Sequence, residues 1–470
     1  MAGSKRRSRR PNRRRTAKGH AAVTMSIPEA KNVYQDHFSQ AEKDWAHNGQ
    51  AWSRKIREAA MSRFAELGFP TVREEEWKYT NVGPIAKIPF RPARYEIDSS
   101  ISDLAARLTL GMPEAIRIVF VNGYYSAELS SLRRLPQGMK VSSLAAAIRQ
   151  EAGWVESHLA RHAGYQDHAF VALNTALMKD GAFVFFPEGS IVKEPIHLLF
   201  ISTAGKGATV SHPRNLIVIG KGSEGTIVES YAGLEDEVYF TNAVTEIVLE
   251  EGAVGEHYKL QRESRRAFHI ATLQACQDRS SSFSSHSIAL GGALVRNEVN
   301  AVLDGEGGQC ALNGLYLAGG EQHVDNHTRI DHVKPHCTSR ELYKGVLDGK
   351  SRGVFNGKIY VHPSAWKSDA RQTNKNLLLS QDAWVDTKPQ LEIYNNDVKC
   401  SHGSTIGQLD QDSIFYLRSR GIGVEVARDL LTYAFAGDVI SRLRVEAIRA
   451  QMDKLLIAKF QRGSQAKDGI

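Results

Sequence analysis

The first hydrophobic pattern along the chain is helical and covers residues 33 to about 68. Apolar side chains recur at about four-residue intervals through Ile56, Ala60 and Phe64, as they do on one face of an α-helix. Gly68, with a proline two residues later, is a typical helix end. The pattern predicts one long helix at the start of the folded chain.

Residues 112 to 200 contain both helix-like and strand-like hydrophobic patterns. The run EAIRIVFVNGYYS predicts a strand that turns at Asn122–Gly123, because this dipeptide favours tight hairpin turns. The run VSSLAAAIRQ predicts a helix, and GAFVFFPEGS and EPIHLLFIS predict strands.

Between residues 214 and 410 helical periodicity almost vanishes, and short strand-like runs replace it. Turn-rich breaks fall at nearly even intervals, at Gly222, Gly252, Ser280 and Gly305, and the spacing then loosens. A β-sandwich would turn much more often, after roughly 8 to 12 residues. A β-helix stacks coils of about the observed length. The spacing favours a solenoid over a sandwich.

Helical patterns return after residue 412. One apolar stripe there has the spacing i, i+3, i+4, i+7 and i+8; it consists of Ala427, Leu430, Leu431, Ala434 and Phe435. Gly437 is expected to break this helix, and a second one is predicted over VEAIRAQMDKLLIAKF. The helices could cap the open end of the solenoid or dock a partner. The residues alone favour the cap.

These patterns predict a mainly β protein in four parts. A disordered basic extension covers 1–24, and a helical and mixed α/β domain covers 25–200. A β-helix core covers 201–411, and a helical domain covers 412–470.

The net charge of +8 comes from the segment 1–20, which holds nine Lys and Arg and no acid. The remainder has 51 basic and 52 acidic residues, a net charge of −1, which gives no support for a nucleic-acid partner. The basic leader lacks the apolar core of a secretory signal. We interpret it as an extension before a start at Met25; a transit peptide and a nucleic-acid-binding tail are the alternatives.

No run of about 18 apolar residues occurs, so no membrane span is predicted. The four cysteines are Cys276, Cys310, Cys337 and Cys400. They form no CxxC pair, which excludes zinc-ribbon and ferredoxin ligand sets. Sparse cysteine use fits a reducing compartment such as the cytoplasm.

The densest group of candidate metal ligands lies in the stretch HVDNHTRIDHVKPHC. It contains His323, Asp325, His327, Asp331, His332, His336 and Cys337. Alternate residues of a strand share one face, and these donors suit zinc or iron. Polar side chains also form hydrogen-bonded ladders inside solenoids, and we favour that structural interpretation.

The run GVLDGKS at 345–351 has too few residues between its glycines for a phosphate-binding loop, and it predicts a turn.

The run DVKCSHG places Cys400 and His402 two residues apart. On a strand the two side chains share a face, and a thiolate and an imidazole both bind iron in cluster proteins. Two ligands cannot complete a tetrahedral site. The pair is therefore either part of a site completed elsewhere or a half-buried cysteine beside a hydrogen-bonded histidine.

Long phrases of the chain resemble the SufB/SufD family, the scaffold subunits of the Suf iron–sulfur cluster assembly machinery. They include GFPTVREEEWKYT near the start and the block from DNHTRIDHVKPHC to DVKCSHGSTIG. The resemblance runs from about residue 30 to the C-terminus, and the form DVKCSHG is typical of the SufD branch.

The resemblance implies a right-handed parallel β-helix and a non-catalytic scaffold that pairs with a SufB paralogue, or with itself when alone. A transient iron–sulfur cluster would form at the SufB interface, with Cys400 and His402 as this chain's ligands. The ATPase SufC would dock on the C-terminal helices, so the stripe from Ala427 to Phe435 becomes a docking face. The expected location is the cytoplasm, or an organelle if the leader is a transit peptide.

Three other functions remain open at this point. The chain could be a SufB-like paralogue that receives sulfur directly, although the final strands lack further relay cysteines. It could be a β-helix enzyme acting on carbohydrate, which would need a carboxylate-lined groove. It could also bind metal by itself.

Overall fold

The computed structural model describes residues 27–48, 50–113, 115–133, 135–205 and 207–465. The predicted extension 1–24 lies outside the described residues. No helix in the described ranges is long and apolar enough to cross a membrane.

The described helices are α1 Ile27–Asn48, α2 Ala51–Leu67, α3 Gly83–Ala86, α4 Ser99–Arg107, α5 Leu144–Gln150, α6 Ala152–His158, α7 Ala169–Leu177, α8 Gln411–Ser419, α9 Val424–Ile440 and α10 Glu446–Gln465. A short 3₁₀ turn covers Glu75–Trp77.

The strands before and at the start of the core are β1 Arg91–Pro92, β2 Ile116–Val121, β3 Tyr124–Ser131, β4 Lys140–Ser143, β5 Ala182–Phe186, β6 Ile196–Ser202, β7 Thr209–Ser211, β8 Arg214–Ile219 and β9 Glu224–Gly233. The later strands are β10 Tyr239–Leu249, β11 Val254–Arg262, β12 Phe268–Gln277, β13 Ser282–Ala289, β14 Leu294–Leu303, β15 Gln309–Ala318, β16 His323–His332, β17 Thr338–Leu347, β18 Arg352–Val361, β19 Asp369–Leu378, β20 Trp384–Ile393 and β21 Lys399–Gly407.

Successive core strands alternate between two sheets. The first sheet has the order β20-β18-β16-β14-β12-β10-β8-β5-β4, and the second has the order β21-β19-β17-β15-β13-β11-β9-β6-β2-β3. The core pairs are parallel. Two consecutive strands make one turn, so the core is a parallel β-solenoid of about eight turns. The predicted solenoid is confirmed and the sandwich is excluded.

The repeat length increases along the core. Phe268 pairs with Leu294 one turn and 26 residues later, whereas near the end of the core Arg352 pairs with Trp384, 32 residues later. The looser spacing of turn signals beyond residue 305 therefore corresponds in part to longer turns. Two later corners, at His336 and Lys367, also carry no glycine.

Residues with a left-handed backbone conformation occupy one column of corners, where the chain passes from one sheet to the other. Gly222, Gly252 and Ser280 have φ values of 61°, 68° and 55°, a conformation that glycine adopts at little cost. The N–H of Gly222 donates to the carbonyl of Glu251 at 2.9 Å, and that of Gly252 donates to Arg279 at 2.8 Å. Each corner is thus hydrogen-bonded to the next turn, which explains the regular turn signals in the sequence.

The N-terminal region differs from the prediction in one respect. The single long helix expected over 33–68 is two helices, α1 and α2, because Asn48 precedes a glycine, and this dipeptide commonly ends helices. The hairpin between β2 and β3 is as predicted: Asn122 and Gly123 have φ values of 55° and 80°.

The C-terminal helices differ in two respects. Helix α9 continues through Gly437, since one glycine inside a well-packed helix costs only about 1 kcal/mol. The helices do not close the end of the solenoid. Their buried residues, such as Ile440 and Met452, pack against outward-facing Leu315 and Leu342 of the second sheet. The cap interpretation is therefore wrong.

Candidate functional site

Cys400 and His402 lie on the last turn of the solenoid, in strand β21. Its register places Cys400 beside Ala370 and His402 beside Gln372. Both of these β19 residues are buried inside the solenoid. The two candidate ligands therefore continue an inward-facing column, at the point where the column ends.

No further turn of the chain that the structure describes stacks on the last turn of the solenoid, so its strand edges are unpaired. Within the described chain, β20 pairs only with β18, and β21 pairs only with β19. Apolar side chains of this turn are left exposed: Trp384 is 62% exposed, Tyr394 57% and Ile406 49%. A long unpaired strand edge with apolar neighbours is a template for pairing with another chain. The sequence did not reveal this surface, because these residues follow the same pattern as the buried strands before them.

Cys400 and His402 supply only some of the ligands that an iron site needs. Cys400 is half-buried, and burial raises the pKa of its thiol, whereas a metal binds the thiolate. His402 is exposed. The described ranges contain no group of three or more His, Cys, Asp or Glu side chains arranged around one point. One sulfur donor and one nitrogen donor suit iron, but further ligands would have to come from another molecule.

A buried polar column lies beneath His402. The side chain of Gln372 donates a hydrogen bond of 2.8 Å from Nε2 to Oε2 of Glu341, one turn deeper. Burial raises the pKa of Glu341 to about 7. On the neighbouring strands, Thr387 donates to Asn374 and lies 2.9 Å from the hydroxyl of Ser404. The open end of the solenoid is therefore polar inside and apolar at its rim.

The first three candidate ligands of the histidine-rich stretch anchor the N-terminal region to the solenoid. His323, Asp325 and His327 share the outward face of β16. The Thr80 hydroxyl donates to Asp325 and lies 2.9 Å from His323 Nε2. Arg296 Nη1 donates to Asp325 at 2.8 Å, and Arg296 Nη1 also donates to the backbone carbonyl of Glu76.

The contacts of Arg296, Asp325 and the two histidines form an ionic network. The guanidinium group of Arg296 also lies 3.7 Å from the centroid of the Trp77 ring. His327 Nε2 lies 3.1 Å from Asp325 Oδ1. Although burial opposes it, His327 and Arg296 together lower the pKa of Asp325. The side chains that resembled ligands are occupied in holding the REEEWKYT segment.

The remaining members of that stretch lie elsewhere. Asp331 forms an ion pair with Arg329. His332 faces inward, and its Nε2 lies 2.9 Å from the Ser339 hydroxyl. His336 is a left-handed corner residue, with a φ of 60°, and Cys337 is buried, its thiol donating to a backbone carbonyl 3.3 Å away. The seven residues do not converge.

The predicted docking stripe on α9 is partly buried against the rest of the chain and partly exposed to solvent. Ala427 is fully buried, and Leu431 and Phe435 pack against the core of the second sheet. Leu430 is 46% exposed and Ala434 is exposed. The run GVLDGKS covers the end of β17 and the turn into β18, with Gly349 at a φ of 66°. A strand follows it, whereas a phosphate loop requires a helix there.

Two family models match the chain. The SufBD core domain of SUF system FeS cluster assembly matches residues 200–435, and the SufBD protein N-terminal region matches residues 28–198. Among curated proteins, an iron–sulfur cluster assembly SufBD family protein of Synechocystis is 35% identical over 413 residues, which are 84% of this chain and 88% of that protein.

Two further relatives cover similar lengths. The iron–sulfur cluster assembly protein SufD of Escherichia coli is 34% identical over 419 residues, 88% of this chain and 95% of its own. A chloroplastic protein of Arabidopsis thaliana is 29% identical over 408 residues, 85% of this chain and 84% of its own. The chain therefore belongs to the SufB/SufD family of iron–sulfur cluster assembly proteins. Within that family it is of the SufD type.

Proposed function

We propose that the chain is a non-catalytic scaffold subunit that provides half of a nascent iron–sulfur cluster site. The observation that carries this proposal is the position of Cys400 and His402 on the inward face of an uncovered last turn. The cluster is cargo: it is assembled at this surface and passed on. Cys400 would supply sulfur ligation and His402 nitrogen ligation.

The partner that completes the site is a SufB paralogue. The free edges of β20 and β21 favour strand pairing with a second solenoid end, which would satisfy their backbone groups. Such pairing would also cover Trp384 and Tyr394 and bring the partner's ligands toward Cys400. When the chain is alone, a second copy would pair with the same edge and form a homodimer.

The ATPase partner SufC docks on the C-terminal helices, and ATP hydrolysis is its task. Support comes from the apolar surface that the chain leaves exposed there, formed by Leu430 and Val426 on α9 and by Phe415 and Tyr416 on α8. This surface corrects the predicted face, because Ala427, Leu431 and Phe435 are used inside the chain.

We place the protein in the cytoplasm, with an organelle as the alternative; the bacterial relative is consistent with the first location and the chloroplastic relative with the second. The division into an extension (1–24), an N-terminal domain (25–200), a core (201–411) and a helical docking domain (412–470) is part of this proposal. No nucleic acid or membrane partner is included.

The direct test of the site is His402→Ala in the complex co-expressed with SufB and SufC chains under anaerobic conditions. Iron and sulfide per complex should fall to a small fraction of the wild-type value. The unfolding temperature should stay within about 2 °C, because His402 is exposed and exposed substitutions rarely change stability much. Ser401→Ala, on the opposite face of β21, is the matched control and should keep its cluster. An unchanged yield in His402→Ala would refute the assignment.

A further inference from the structure

A cavity of about 710 Å³ opens among α1, β1, the β2–β3 hairpin and β7. It lies at the first turns of the solenoid, whereas the candidate cluster site lies on the last. Its volume is within the range of about 300 to 1,000 Å³ that is usual for small-molecule sites. Nothing in the proposed scaffold role uses it.

The lining of this cavity is cationic. Arg91, Arg94 and Lys179 contribute positive charge, and Glu96 is the one acidic side chain among the described lining residues. Neither arginine forms an ion pair with another residue that the structure describes. Lys179 Nζ donates a 2.7 Å hydrogen bond to the Tyr124 hydroxyl, which holds the ammonium group at the wall. Such a concave positive surface concentrates anions.

Two buried imidazoles line the same cavity with unused hydrogen-bonding capacity. Asn242 Nδ2 lies 3.2 Å from His212 Nδ1 and donates to it, so the proton of the neutral ring is on Nε2. That Nε2, and Nδ1 of His37, have no hydrogen-bond partner in the described chain. Burial lowers the pKa of His212 to about 3 and that of His37 to about 4, so both rings are neutral. A buried donor without an acceptor is unfavourable, and a ligand oxygen that accepts from it would relieve that cost.

We propose that this cavity binds a small anion that carries a phosphate or carboxylate group and is of mononucleotide size or smaller. A phosphate or carboxylate group lies between the guanidinium groups of Arg91 and Arg94 and the Lys179 ammonium, and a second oxygen of the ligand accepts from His212. Planar guanidinium groups match both anions with paired hydrogen bonds. The basic segment 1–24 does not suit the cavity, because its charge has the same sign.

The test is calorimetric titration of the full chain with pyrophosphate, AMP and citrate, at low salt and at about 150 mM salt, an ionic strength that screens exposed charges. We expect one probe or more to bind with a stoichiometry near one at both salt concentrations. Arg91→Ala/Arg94→Ala should weaken that binding at least tenfold. The control Arg371→Ala/Arg418→Ala removes the same charge from exposed arginines elsewhere and should leave it unchanged. Pyrophosphate and AMP binding would identify a phosphate site, and citrate binding alone a carboxylate site.

A second variant distinguishes the contribution of the His212 imidazole to anion affinity from that of the net positive charge. His212→Phe keeps a ring of similar shape and all three cations, and circular dichroism checks its fold. It should weaken the same probe several-fold. The proposal is overturned if no probe binds the wild type at millimolar concentration, or if the two double variants lose affinity equally.

Discussion

The thiol of Cys400 illustrates how burial controls chemistry at a single residue. Burial raises its pKa above the usual thiol value, so in the isolated chain the thiol keeps its proton at neutral pH. In the proposed site, iron would displace that proton, since an approaching metal ion or cationic group favours the thiolate. The proposed function therefore implies a thiol that stays unreactive until a partner interface forms.

This state predicts slow alkylation of Cys400 in the chain alone. With iodoacetamide at pH 7.5, mass spectrometry should show modification slower than that of a free cysteine peptide. Because the pKa is raised, the thiolate fraction and the rate should still be increasing at pH 9. A rate at pH 7.5 equal to or above that of the peptide would contradict the assigned environment.

Glu341 gives a second prediction at the residue scale. Its folded-state pKa of about 7 is above the ordinary carboxyl value, so the folded chain binds the proton more tightly than the unfolded chain does. Stability therefore falls as the pH rises from the ordinary carboxyl pKa of 4.5 to about 7, and the full cost remains above pH 7, where the folded-state carboxyl ionises.

Glu341→Gln should raise the free energy of unfolding at pH 8 by a few kcal/mol, since one pKa unit corresponds to about 1.4 kcal/mol. The gain should shrink below about 1 kcal/mol at pH 5, because the folded-state carboxyl is protonated there and pH 5 is only about half a unit above the ordinary carboxyl pKa of 4.5. Urea denaturation at both pH values measures it, with the exposed Glu321→Gln as control. A gain that does not depend on pH would show that Glu341 is not the titrating group.

At the scale of elements, the N-terminal segment and the solenoid are joined by one buried ionic network. Arg296 connects Asp325 and Glu298 of the first sheet with the backbone of Glu76. The same guanidinium contacts the Trp77 ring. The two phrases most characteristic of the family are therefore in contact with each other in the folded chain.

Arg296→Met should destabilise the protein by about 3 to 5 kcal/mol, because it leaves buried carboxylates without their cation. Arg329→Met is the matched control. Its partner Asp331 lies 2.9 Å away, but Arg329 is exposed, and such pairs contribute about 0 to 1 kcal/mol. Chemical denaturation compares the two. Equal losses would mean that the buried network carries no special share of the stability.

The exposed part of α9 carries the prediction for SufC. Leu430→Glu places a charge on the proposed docking surface and should weaken SufC association at least tenfold, measured by co-purification and calorimetry. The unfolding temperature should hardly change, because Leu430 is 46% exposed. Ile191→Glu, at a 64% exposed position near the start of the solenoid, should bind SufC normally. Normal binding by Leu430→Glu would move the docking surface elsewhere.

At the scale of the whole molecule, the solenoid was predictable because its signals are local. Corners with positive φ repeat once per turn at Gly222, Gly252 and Ser280, and the dipeptide at Asn122 specifies its own hairpin. The helix break before Ala51 was not predicted, although a local signal for it, Asn48 before a glycine, is present in the sequence. The continuity of α9 and the position of the C-terminal helices were not predicted because they depend on packing between distant segments, which single-sequence periodicity does not report.

The geometry of the candidate site was predictable in part for the same reason. Two-residue spacing on a strand placed Cys400 and His402 on one face. Their position over Ala370 and Gln372, and the open edge beside them, follow only from β21 being the last strand of its sheet. The histidine-rich stretch gave the opposite result: seven neighbours in sequence lie in several environments, because strand alternation and a corner direct them apart.

The proposed function requires that this chain hold only half of a cluster site. Anaerobic reconstitution with iron and sulfide tests this requirement, on the purified chain alone and on the chain co-purified with SufB and SufC, with metal and sulfide analysis after gel filtration. The complex should retain a cluster, and the chain alone should retain none. A stable, stoichiometric cluster on the isolated monomer would show that one chain completes the site.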